Sequence, residues 1–88
     1  MAMTSLSIKG MTIASAITWA SGVLFVGLLN IIRPGYGNAF LSIVSSVYPG
    51  YHAEPNLVSV LVGTAYAFLD GAIAGFIFSW IYNKLGAE

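Results

Sequence analysis

Asp70 is the residue most able to do chemistry. It is the only charge in the apolar run Leu57–Tyr82, and it falls near the midpoint of that run. If the run crosses a bilayer, a carboxylate at that depth costs about 2.5–3.5 kcal/mol on insertion scales. It must then find hydrogen-bond donors. Neither apolar run of the chain holds a Lys or Arg to pair with it. Tyr66 lies four residues earlier on the same run, and Ser21 would lie at its depth if the two runs are antiparallel. Asp70 is therefore read as an ion or proton site, or as a polar contact to another subunit. The plainer reading is an acid satisfied by Ser21 or Tyr66 that fixes helix register. Register or contact is preferred over transport.

The other reactive residue types form no recognisable catalytic set. His52 is the single histidine and stands beside Glu54 in the connection between the runs. It has no cysteine or second histidine to complete a metal site, so a partly solvated loop histidine is expected. Serines are common but lack a nucleophile elbow or an acid–histidine arrangement. Phosphate-loop and dinucleotide fingerprints are missing. No catalytic, cofactor or metal site is expected, and an enzyme is not the reading.

Composition sets the frame that must position Asp70. The chain has 88 residues, 58% of them hydrophobic and 7% charged, with no cysteine and a net charge of zero. Soluble domains carry about 25% charged residues. A fold of this size has no interior large enough for so much apolar surface, and lipid supplies the burial. Nucleic-acid binding needs a basic patch, which this chain lacks.

Thr12–Ile32 is uncharged and long enough to cross a bilayer core, which takes roughly 20 apolar residues. Lys9 before it resembles the start of a signal peptide. The run is longer than the 7–15 residues of a signal core, so a retained span is expected. Ser5 or Ser7 can cap its first turn, and Pro34-Gly35 ends it. The second span is Leu57–Tyr82, opened by Glu54-Pro55-Asn56. Its length, roughly 39 Å as a helix against a core of about 30 Å, requires tilt or protrusion. Trp80 and Tyr82 mark its exit.

Small residues recur at every fourth position of the second span: Gly63, Ala67, Gly71, Gly75 and Ser79. They form one stripe on a helix, and Gly71–Gly75 has the GxxxG spacing that lets helix backbones touch in lipid. The first span has a similar set in Ala14, Thr18 and Gly22. Two such stripes predict an antiparallel pair.

Between the spans, Pro34-Gly35 and Pro49-Gly50 bracket Ala39–Tyr48. Phe40, Leu41, Ile43, Val44, Val47 and Tyr48 share one side of a helical wheel, with Ser42, Ser45 and Ser46 on the other. Too short to span, this segment reads as an amphipathic helix lying at the interface, its apolar face on lipid or on a partner protein. Tyr36, Tyr48 and Tyr51 suit the interfacial aromatic belt.

The predicted fold is an all-α integral membrane protein: a two-helix transmembrane hairpin (12–32 and 57–82) joined through a short amphipathic interfacial helix (39–48). The rotor c-subunit of ATP synthases shares the acid midway in a second helix. It differs in its glycine ladder on helix one and its tight loop, so no c-subunit role is carried over. Three stretches, Tyr48–Tyr51, Phe68–Gly75 and Ile77–Lys84, resemble small bacterial two-span proteins labelled holin-like. That resemblance implies oligomerisation and membrane permeabilisation. Expected partners are the lipid bilayer and other transmembrane helices, in a homo-oligomer or a larger complex. The expected place is a bacterial inner membrane. Lys9 and Lys84 against Arg33 set both termini in the cytoplasm.

Overall fold

A computed structural model describes residues 5–86. They form three helices, α1 (Ile8–Ile32), α2 (Asn38–Val47) and α3 (Leu57–Gly86). Both α1 and α3 are long and apolar enough to cross a membrane.

The helix ends follow capping chemistry more than hydropathy. α1 starts a turn earlier than the apolar run because the Ser7 side chain accepts from Gly10 N at 3.0 Å, which carries the helix through Lys9-Gly10. At its other end the Arg33 N–H donates to Leu29 O at 2.7 Å. Asn56 caps α3 by accepting from Ser59 N at 2.8 Å. α3 continues past Tyr82 to Gly86, with Lys84 in the last turn and its ammonium 5.5 Å from the centre of the Trp80 ring. A cation at that end suits the helix dipole.

α1 and α3 run side by side in opposite directions. Gly27 meets Val60 near one end, Ala16 meets Gly71 midway, and Met11 meets Gly75 further on. At the far end the Asn83 side chain donates to Leu6 O at 2.9 Å and accepts from Leu6 N at 2.8 Å. All five members of the α3 stripe, Gly63, Ala67, Gly71, Gly75 and Ser79, are buried. A Cβ on Gly71 would stand 2.5 Å from Ser15 O and 2.9 Å from Ala16 Cα. On Gly75 it would stand 2.5 Å from Met11 O. These obstacles are backbone atoms, so a rotamer change cannot clear them. Gly63 is filled differently: the Tyr51 ring, from the connection, lies 2.7 Å from where its Cβ would be.

The first-span stripe does not face this contact. Ala14, Thr18 and Gly22 are exposed, and Gly22 has no neighbour within 4 Å of an added Cβ. α1 meets α3 with Ala16, Ala20, Val23 and Gly27. Moving two residues along a helix rotates the face by about 200°, so α1 carries small residues on two nearly opposite sides. Spacing alone does not choose between them.

α2 also differs from the expected arrangement. It forms over nearly the expected residues, but it does not lie across the end of the pair. It folds back along the pair toward its middle. Gly37 touches Val26, Phe40 meets Trp19 edge-on with ring centres 5.9 Å apart, and Tyr48 reaches Trp19 and Asp70. Leu41, Val44 and Tyr48 are buried, whereas Ile43 and Val47 are exposed. The apolar face therefore rests on this chain's own helices.

The segment after α2 returns to the start of α3 without helical hydrogen bonds, and side chains satisfy its backbone. Ser45 Oγ accepts from Ala53 N at 3.0 Å, and Ser59 Oγ accepts from Glu54 N at 3.0 Å. Ser59 and Tyr66 hydroxyls donate to His52 O and Pro49 O. Irregular backbone is tolerated beside apolar helices only when its polar groups are met in this way.

Replacing Gly71 or Gly75 by Leu should force the helices apart, at a cost of about 1–3 kcal/mol or more from overpacking. Gly22→Leu should have little effect, since its site is open. Unfolding by a denaturing detergent, followed by helical circular dichroism, ranks the three. Equal stability of all three variants would show that the Gly71–Gly75 contact is not what holds the pair.

Candidate functional site

Three side chains from three parts of the chain form one row that ends at Asp70. Trp19 sits in the middle of α1, Tyr48 ends α2, and Asp70 lies near the middle of α3. The indole Nε1–H of Trp19 donates to Tyr48 Oη at 2.7 Å. The Tyr48 hydroxyl in turn donates to Asp70 Oδ2 at 2.8 Å. Each polar group in this row is one an apolar setting would penalise if left alone. Linked, they pin α1, α2 and α3 at one level.

Aromatic packing holds the row in place. The Tyr48 ring stacks on Tyr66 at 5.3 Å with planes 18° apart, and it tilts against Tyr51 at 6.3 Å. Only 6% of Tyr48 is exposed. Pro49-Gly50 turns the chain directly after it, with Gly50 at φ 83° in the left-handed region that glycine occupies without strain.

The partner of Asp70 is thus neither of the two residues expected. Tyr66 is on the same helix, but side chains lean toward the helix N-terminus, which carries its hydroxyl away from Asp70 and onto Pro49 O. Ser21 is exposed on α1 and takes no part. The interfacial reading of Tyr48 does not anticipate its polar role, nor that of Trp19 beside it. A signal did exist. A mid-span indole N–H needs an acceptor, and Tyr48 closes the apolar face of an amphipathic helix that must rest on something.

Two hollows flank Tyr48. One, of about 580 Å³, opens between the serine face of α2 and the return segment, and is lined by Ser42, Ser45, Ser46, His52 and Glu54 among others. The other, of about 140 Å³, lies on the Asp70 side and is lined almost wholly by hydrocarbon. Among the described residues no three His, Cys, Asp or Glu side chains gather as metal ligands. The arrangement pairs a hydroxyl donor with an acid. It can hold or present a charge, and it offers no base-activated nucleophile.

Burial pushes the Tyr48 hydroxyl above the ordinary tyrosine value of about 10, and the Asp70 carboxylate adds to this while the Trp19 hydrogen bond opposes it. Burial also raises Tyr51. Raised acids of this kind favour folding while protonated. Their contribution is complete below about pH 10 and is lost as pH climbs through the raised value. Tyr48→Phe keeps the ring but removes both hydrogen bonds. It should cost about 1–3 kcal/mol in detergent unfolding and flatten the alkaline loss of stability, leaving the part due to Tyr51. An unchanged stability and alkaline profile would mean that the row contributes nothing. Compared with known proteins, the chain matches no family model, no curated protein and no solved structure, so the reading of this site rests on its own chemistry.

Proposed function

We propose that this chain is a non-catalytic, membrane-embedded structural subunit. In this reading α1 and α3 both cross the bilayer as a hairpin, and α2 is a re-entrant helix that stops at mid-depth. The supporting observation is how the apolar surface is divided. The small residues of α3 are spent inside the chain, while bulky side chains such as Phe25, Leu61, Phe68, Leu69, Ile73, Phe76 and Trp80 are exposed. A chain in water would bury the second set, whereas one in lipid has no reason to.

Association with other transmembrane helices then falls to the outward faces. The Gly63–Ser79 stripe, open in the sequence to the first span, to a second copy or to a larger complex, is already occupied by α1 and Tyr51. The open small face of α1, Ala14, Thr18 and Gly22, remains free for close approach to a second copy or to a larger complex. The termini face the cytoplasm of a bacterial inner membrane, with Arg33 and Glu54 on the other side. The holin-like resemblance agrees with a two-span subunit, and its permeabilising role is a competing outcome.

The native chain has no cysteine, so single cysteines report cleanly. Lys9→Cys and Lys84→Cys should react with an impermeant reagent from one side of the membrane, and Glu54→Cys from the opposite side. The protein should also resist alkaline extraction. Release by alkali, or modification of all three from one side, would overturn the reading. Collapse of the membrane potential on expression alone would replace it with the permeabilising role.

A further inference from the structure

The smaller hollow has a composition that the structural role leaves unused. Its walls are Trp19, Phe40, Val44, Val47 and Tyr48, and its one charged lining residue is Asp70. Tyr48 holds Oδ2 of that acid at 2.8 Å. Among the described residues, Oδ1 has no hydrogen-bond donor, and no basic side chain forms an ion pair with Asp70. Lys9, Arg33 and Lys84 all lie at helix ends, far from the level of Trp19 and Asp70. Asp70 is exposed, and its carboxylate, held by Tyr48 at the edge of a hollow that also has the Trp19, Phe40 and Tyr48 rings in its walls, is complementary to positive charge. Aromatic faces attract a cation within about 6 Å, most strongly where water is excluded.

We propose that this hollow binds a small lipophilic organic cation of the tetraalkylammonium class. The cationic centre lies against the Asp70 carboxylate, and the alkyl arms pack on Trp19, Phe40 and Tyr48. A quaternary ammonium has no N–H to satisfy, which suits a cavity with one acceptor group and otherwise hydrocarbon walls. At about 140 Å³ the space takes a compact ion and not a bulky triaryl one. The exposed Ile43 and Val47 flank its mouth, so entry is from the apolar surroundings. The hollow is formed within one chain, so this inference rests on the membrane placement proposed above and not on any assembly with other subunits.

The test is a titration of the purified full chain in mild detergent with tetraethylammonium chloride. Trp80→Phe leaves Trp19 as the sole indole. Its emission should change saturably, and sodium chloride at equal ionic strength should not reproduce the change. Asp70→Asn, which can still accept from Tyr48, should weaken binding about tenfold or more. Val47→Phe, which narrows the mouth and keeps the acid, should also abolish binding, and it decides alone if Asp70→Asn loses helical signal. A response that does not saturate overturns the proposal. So does equal binding by helical Asp70→Asn, or equal competition by the neutral isostere 3,3-diethylpentane.

Discussion

The whole arrangement depends on one close approach. At Gly71 and Gly75 the backbone of α3 lies against the backbone of α1 with no side chain between them. In the membrane placement proposed above, there is no hydrophobic gain from bringing two apolar helices together, so the attraction would come from many short contacts made possible by missing atoms. Ala16, Ala20 and Ala67 continue the same smooth seam, and Ala67 is fully buried. Ser79 belongs to it for a second reason. Its hydroxyl turns back onto Gly75 O at 2.8 Å, so a polar residue enters the seam without an unmet group.

With the seam closed, the connection has somewhere to dock. Tyr51 fills the space over Gly63 that a larger residue would have occupied, and Tyr48 reaches the level at which Trp19 and Asp70 stand opposite each other. The polar row is therefore a product of the seam. Trp19 and Asp70 face a common partner only because the two long helices are held in one register. The aromatic stack of Tyr48 on Tyr66 then keeps that partner in place.

The parts that could be read from the residues are those with local causes. The α3 stripe is periodic along one helix, so its burial follows from spacing. The helical nature of α2 follows from its two-sided pattern between two Pro-Gly pairs. The inner ends of the two long helices, Ile32 and Leu57, follow from hydropathy and Ser7 is legible as a cap, whereas α1 begins and α3 ends about a turn outside the apolar runs. What escaped depends on contacts distant in the chain. Nothing near Ala14 or Ala16 says which small face of α1 meets α3. Nothing near Asp70 names Tyr48, which is brought there by a turn back along the pair. The placement of α2 was missed for the same reason. An amphipathic face fits a lipid surface and a neighbouring helix equally well.

The mutual pairing of Asn83 with Leu6 has a further consequence. It holds the beginning of α1 and the end of α3 within a hydrogen bond of each other, on both sides of one amide. A short tether across that point would close the chain on itself, and new ends could open in the segment between α2 and α3. Circular permutants are accordingly within geometric reach, which lets the order of α1 and α3 along the chain be reversed by design.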